Sequence, residues 1–269
     1  MLNKKIQLKN GVQIPILGLG TWQIPDALTE RAVNDAISVG YKHIDTAVAY
    51  GNEAGVGRGV KLSGIKREDI FITSKVLAEC KDYALAKESI NQSLKRLDTD
   101  YIDLMLIHAP RPWDEMIGGA YSYNKENVAV YKALEEGYKE GKLRAIGVSN
   151  FSVSDLKNIQ ENCEIVPHVN QICCFAGEVP VDTIEYCKQN GIVVEAYSPI
   201  GTGRMLKNEK VATVAKKYGV SIAQLCIKFD LQLGLVVLPK STHKEYMQEN
   251  ALLNFVISDE DMQYLMKLE

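Results

Sequence analysis

The chain has 269 residues and a mass of 29.9 kDa, of which 46% are hydrophobic and 24% charged. This length buries enough surface to fold without disulfides or metal and suits one α/β domain, taken here as residues 1–269. Lys plus Arg total 31 against 34 Asp plus Glu, a net charge of −3 with no long run of either sign, which excludes nucleic acid or an anionic membrane as the main partner.

No apolar run approaches the about 20 residues of a membrane span, and MLNKKIQLKNG lacks the apolar core of a signal peptide. A cytoplasmic protein is expected. The six cysteines, Cys80, Cys163, Cys173, Cys174, Cys187 and Cys226, show no metal-ligand spacing and are expected to be reduced packing residues, with no metal bound.

In chain order, IQLKNGVQIPILGLG reads as a hairpin turning at Asn10-Gly11, followed by a short strand over 17–20. Strand candidates then recur: HIDT at 43–46, IFITSKV at 70–76, YIDLMLIH at 101–108, RAIGVS at 144–149, HVNQI at 168–172, IVVEAYS at 192–198 and LVVLPKS at 235–241. Amphipathic helical stretches separate them, among them YALAKESINQSLKRLD and NVAVYKALEEGYKEGK, and several end in Gly. Eight strand–helix units without a linker predict a closed parallel (β/α)8 barrel of the TIM type, its bottom plugged by the hairpin. A doubly wound open sheet is the rival arrangement.

In such a barrel, chemistry sits where strands end. The second strand runs into Asp45, with Tyr50 five residues on; the third ends at Lys75 and the fourth at His108. Each has a plain structural alternative: a helix cap, a half-buried aromatic, a solvated strand end, a core histidine. Together they form a proton-transfer set without a nucleophile or metal cluster. A phenol is too weak an acid at neutral pH, but a nearby ammonium lowers its pKa, and a carboxylate holds that ammonium charged. Such a set acts on a carbonyl or alcohol, and the electrons must come from a cofactor. GLGTWQ, GVGRGV and GTGRML all miss the Rossmann fingerprint, so a nicotinamide cofactor would bind in another way.

GYKHIDTAVAYGNEAGVG at 40–57, DYIDLMLIHAP at 100–110, GKLRAIGVSNF at 141–151 and LPKSTHKEYMQEN at 238–250 resemble the aldo-keto reductase family, over essentially the whole chain. The chain is most similar to its small microbial members, the diketogluconate, methylglyoxal and prostaglandin F reductases. The resemblance implies a (β/α)8 barrel, NADPH as cofactor and a small carbonyl as substrate. It implies a tetrad of Asp45, Tyr50, Lys75 and His108, with Tyr50 as proton donor and His108 orienting the substrate. It further implies that Ser149, Asn150 and Gln171 hold the nicotinamide carboxamide and that Tyr197 stacks on the ring. Thr21, Trp22 and Asp45 would line the nicotinamide end, and Ser198, Ile200 and Gly201 would cover the pyrophosphate. Lys240, Ser241 and Thr242 match the adenosine 2′-phosphate site, and Glu249 and Asn250 the adenine site.

Two departures stand out. Tyr246 lies where many relatives carry an arginine against the phosphate, and Ala109 follows His108 where many carry tryptophan. Trp22, Tyr50, His108, Ala109 and Trp113 are therefore the expected substrate walls, with the wall at Ala109 opened. The C-terminus lacks the long loop of the mammalian members, so a shallower pocket and a monomer are expected. The competing functions are a lyase using Lys75 as a Schiff base and a non-catalytic regulatory subunit that senses the cofactor.

Overall fold

The computed structural model describes residues 1–116 and 121–268. Strands β1 (Lys5–Gln7) and β2 (Gln13–Pro15) form the antiparallel hairpin, turning where Gly11 takes a φ of +88°. The barrel strands are β3 (Leu19–Gly20), β4 (His43–Asp45), β5 (Phe71–Val76), β6 (Leu104–Ile107), β7 (Ile146–Ser149), β8 (Val169–Cys173), β9 (Val193–Tyr197) and β10 (Val236–Leu238). Each pairs in parallel with its sequence neighbour, giving an eight-stranded sheet in chain order. Leu17 bridges to Val237, and Gly18 N–H donates to the Val237 carbonyl at 3.0 Å, so the sheet curls round to meet its own first strand. The open-sheet alternative is thereby excluded.

Six helices follow the strands in turn: α1 (Asp26–Val39), α2 (Glu53–Ser63), α3 (Tyr83–Leu97), α4 (Asn124–Lys139), α5 (Val153–Asn162) and α6 (Val181–Gln189). Then α7 (Glu209–Tyr218) and α8 (Ile222–Gln232) lie between β9 and β10, and α9 (Lys244–Ala251) and α10 (Asp259–Met266) follow β10. Sequence chemistry sets their ends. Ser152 and Ser221 make capping boxes with Asp155 and Gln224, while Gly40 and Gly219 close α1 and α7 in the left-handed conformation. The apolar stripes of the helices pack on the outer faces of strands such as β5 and β6, both buried on each side.

Inside the barrel, strand alternation sorts residues by height. At the N-terminal ends of the strands, Phe71, Leu104, Val169 and Val236 meet Leu8 and Ile14 of the hairpin segment, and this apolar floor is the expected plug. One residue pair higher, the inner face turns polar. The transition needs close backbone approach at Gly147, where an added Cβ would lie 2.3 Å from the Val169 carbonyl oxygen. Gly147→Ala should therefore force β7 and β8 apart and cost about 1–3 kcal/mol, measured as a lowered urea midpoint. A neutral result would mean that the strands yield freely there.

Candidate active site

Asp45, Lys75, His108, Ser149, Gln171 and Tyr197 all lie just past or within two residues of the C-terminal ends of their strands, at the end opposite the hairpin. All but Lys75, which lies behind the wall, line a cavity of about 770 Å³. Lys75 is the deepest: its side chain is fully buried, and its ammonium donates to both Asp45 carboxylate oxygens at 2.8 and 2.7 Å, to the Thr46 carbonyl at 2.9 Å and to Tyr50 Oη at 3.3 Å. Burial works against this ammonium, but the Asp45 carboxylate and the neighbouring Tyr50 raise its pKa overall. A charged lysine saturated with acceptors, absent from the cavity wall, is unsuited to Schiff-base chemistry, which needs an accessible neutral amine.

Because Tyr50 accepts from Lys75, its own hydroxyl proton is left to face the cavity. The expectation that Lys75 lowers the phenol's pKa needs correction. Lys75 does pull it down, but burial pushes up harder, and Asp45 adds to the rise, so Tyr50 stays above its ordinary value. It is held as a neutral phenol, a donor rather than an acceptor. His108 packs edge-on to the Tyr50 ring, with centroids 5.5 Å apart. Burial, and then Lys75, lower its pKa to about 3, so the imidazole is neutral at physiological pH. Its Nδ1 is sealed without a hydrogen-bond partner, which disfavours a proton there and leaves Nε2 as the N–H directed at the cavity.

Gln171 joins two sides of the site. Its Nε2 donates to Asp45 Oδ2 and to Glu195 Oε2, each at 2.8 Å, and its Oε1 accepts from no described residue. Asn150 donates to the His108 carbonyl at 3.1 Å and accepts from the Tyr197 hydroxyl at 2.8 Å, while Ser149 Oγ donates to the Gln171 carbonyl. The Tyr197 ring is thus braced at its far end, and the residue lines the cavity. Trp22, Ser198, Ile200, Gly201 and Lys240 complete the wall among the expected residues. Asn150 and Ser198 have left-handed φ values of +62° and +55°, and so do Gln23 and Thr202, which also line the cavity. Such strained backbone collects at ligand sites, where the chain must bend its polar groups inward.

Other expected residues lie elsewhere. Thr21 does not line the cavity; it is buried, with its hydroxyl donating to the Asp45 carbonyl at 2.9 Å, and so it holds the strand end in place. Ala109 is also absent from the wall. It is fully buried and accepts from Lys81 Nζ at 3.0 Å. The wall that alanine was expected to open is filled by Trp113, whose ring packs edge-on to His108 at 5.1 Å and whose backbone N–H donates to the Glu79 carboxylate. Ser241, Thr242, Glu249 and Asn250 lie beyond the cavity wall on the segment through α9, where Ser241 bonds the His243 backbone. Tyr246, 58% exposed, packs on His243.

Reading strand ends missed four residues. Cys173, expected to be packing alone, lines the cavity, as does Phe175. His43 and Glu195 are fully buried beneath the tetrad, two residues before Asp45 and Tyr197, so strand alternation was the available signal. The six cysteines are free thiols, and no cluster of metal-binding side chains occurs among the described residues.

The model of the aldo/keto reductase family matches residues 16–269. The chain belongs to that family. Glyoxal reductase of Bacillus subtilis is 42% identical over 263 residues, covering 97% of this chain and 91% of that protein. The 9,11-endoperoxide prostaglandin H2 reductase of Trypanosoma cruzi is 40% identical over 268 residues, covering 98% and 90%. A crystal structure of an aldo/keto reductase from Brucella melitensis superposes with a TM-score of 0.90 at 33% identity, covering 99% of both chains. The barrel is therefore that of a carbonyl oxidoreductase of this family. Within it, the wall beside His108 is built from a loop rather than from the strand end. Trp113→Ala should raise the kcat/KM of a bulky aromatic aldehyde relative to a small aliphatic one by about tenfold, read from steady-state assays of both. An unchanged ratio would place Trp113 outside the substrate wall.

Proposed function

We propose that this protein reduces small aldehydes and ketones to alcohols with NADPH, Tyr50 delivering the proton. The single observation behind the reading is the neutral Tyr50 phenol, held by a buried Lys75–Asp45 pair and aimed into a cavity that His108 also faces. The names of the relatives add weight, since glyoxal is itself a small aldehyde.

The residues fit a nicotinamide cofactor. Gln171 Oε1 is an unused acceptor for a carboxamide N–H₂, Ser149 and Asn150 flank it, and the Tyr197 ring offers a flat face. Trp22 and Asp45 border the same end; Ser198, Ile200 and Gly201 would lie along the pyrophosphate, with the Lys240 ammonium farther out. Ser241, Thr242, Glu249 and Asn250 would serve the adenosine end, Ser241 and Asn250 being largely buried there. When bound, the cofactor supplies the two electrons for the carbonyl carbon. The chain's own residues do the rest. His108 Nε2–H and the Tyr50 hydroxyl hold the carbonyl oxygen from two sides, which polarises it and fixes its position. As negative charge develops on that oxygen, Tyr50 gives up its proton, and the adjacent Lys75 ammonium stabilises the phenolate left behind. We read the protein as a monomeric, cytoplasmic, one-domain enzyme. The saturated ammonium of Lys75 counts against a lyase, and turnover with NADPH separates an enzyme from a cofactor-sensing subunit.

Tyr50→Phe should lower kcat for carbonyl reduction by about 10² to 10⁴ while leaving NADPH affinity within twofold. A variant retaining more than a tenth of wild-type turnover would remove Tyr50 from the role of proton donor. Lys240 predicts cofactor choice. A charge-assisted bond to the 2′-phosphate contributes about 1.5–3 kcal/mol, roughly a ten- to 150-fold preference, and Tyr246 supplies no second charge. Lys240→Ala should raise the Kd for NADPH about tenfold and leave that for NADH unchanged in fluorescence titrations. Equal wild-type affinities for the two cofactors would refute the phosphate site.

A further inference from the structure

Two carboxyl groups and one ammonium meet inside the barrel. Asp45 takes the Lys75 ammonium directly, through both of its oxygens. Glu195 receives only the second N–H of Gln171, through Oε2, while its Oε1 has no hydrogen-bond partner and faces His43 Nε2 at 3.6 Å. His43 brings no charge: burial above all lowers its pKa to about 3, and its ring nitrogens already meet the Pro15 carbonyl and the Thr73 hydroxyl. The other groups facing Glu195 are Asp45 on β4, Lys75 on β5 and Gln171 on β8, with Tyr50 beyond Lys75; on the paired strand β10 it meets Val236, and no β10 residue titrates. One ammonium cannot neutralise both carboxyls, and the one without direct contact to it must carry the proton.

This inference rests on the nicotinamide reading above. We propose that Glu195 determines specificity for the cofactor's redox state: protonated, it leaves the floor beneath the Gln171 amide neutral, and ionised, it adds a negative charge there that favours NADP⁺ over NADPH. The switch falls in a useful range, because burial, and then Asp45, push the Glu195 carboxyl up to about 8, against the weaker pull of Gln171 and Lys75. NADP⁺ and NADPH share the adenosine, the 2′-phosphate and the pyrophosphate. The ratio of their dissociation constants therefore cancels every titration outside the nicotinamide end. The coupling is reciprocal: if ionised Glu195 favours the oxidised ring, that ring lowers the pKa of Glu195 and expels its proton to solvent.

The test is calorimetric titration of the full-length protein with NADP⁺ and with NADPH between pH 6.5 and 9.5, for wild type and Glu195→Gln. In wild type, Kd(NADP⁺)/Kd(NADPH) should fall about tenfold as the pH rises, the effect of one charge acting across a low-dielectric site. In Glu195→Gln, which keeps the shape and lacks the proton, the ratio should stay flat at the wild-type low-pH value. A structural role alone would weaken both cofactors together and leave the ratio's pH dependence intact. The wild type gives a second reading without any variant. Near pH 8, paired titrations in buffers of different ionisation enthalpy should show proton release on binding NADP⁺ and little on binding NADPH. A flat wild-type ratio overturns the assignment, as does a pH-dependent ratio that survives in Glu195→Gln. If wild type binds neither cofactor, the nicotinamide reading itself falls, and this inference with it.

Discussion

A lysine ammonium sealed inside a parallel barrel is the constraint on which the site depends. An isolated charge in that interior would cost several kcal/mol, and removing one partner of a buried pair leaves the other stranded. Lys75 is tolerated because four oxygens surround it, two from Asp45, one from Thr46 and one from Tyr50. Those oxygens must arrive from the end of β4 and the turn that follows it, so the path of the chain from 43 to 50 follows from the lysine. Gln171 then satisfies the remaining demand of Asp45, and Glu195 the remaining donor of Gln171. Most of the polar network is therefore satisfied before any ligand enters, with Gln171 Oε1 left open as an acceptor. Its two buried gaps, the sealed Nδ1 of His108 and the unpaired Oε1 of Glu195, mark the tautomer and the protonation state that the network imposes.

Much of the fold is legible in the chain because strand and helix periods alternate so regularly. The hairpin at Asn10-Gly11 follows from turn chemistry, and the eight apolar segments follow from burial on both faces. The four polar strand ends were equally visible, since Asp45, Tyr50, Lys75 and His108 interrupt or follow runs that are otherwise apolar. Their partners were not. His43 and Glu195 sit on the inner face by simple alternation, yet which side chains meet across a barrel depends on the stagger of its strands, a global quantity. Loops hid the rest. Nothing in HAPRPW says that the indole four residues past Ala109 folds back onto His108, because that contact depends on Lys81 and Glu79 pinning the loop from another strand end. Thr21 misled for a related reason: next to a wall residue, it points the other way and ties down the Asp45 carbonyl.

The two ends of the barrel divide the work. The apolar floor of Leu8, Ile14, Phe71 and Leu104 has no group that could hold a ligand, and it seals the interior from below. Every left-handed non-glycine residue that borders the cavity belongs to the opposite end, in the segments after β3, β7 and β9. Stability and chemistry are thus separated along the barrel axis.

The meeting of the sheet with its own beginning has a consequence for biosynthesis. Leu17 must find Val237, so a chain emerging from the ribosome builds its first barrel strand long before it makes the partner of that strand. Through that interval the growing sheet has an unpaired edge on each side, the kind of surface on which strands of other molecules add. The brevity of β3, only Leu19–Gly20, then acquires a purpose beyond geometry. A two-residue strand that ends in glycine and follows another glycine offers little for a stray strand to grip, so the edge exposed for longest is also the shortest in the barrel.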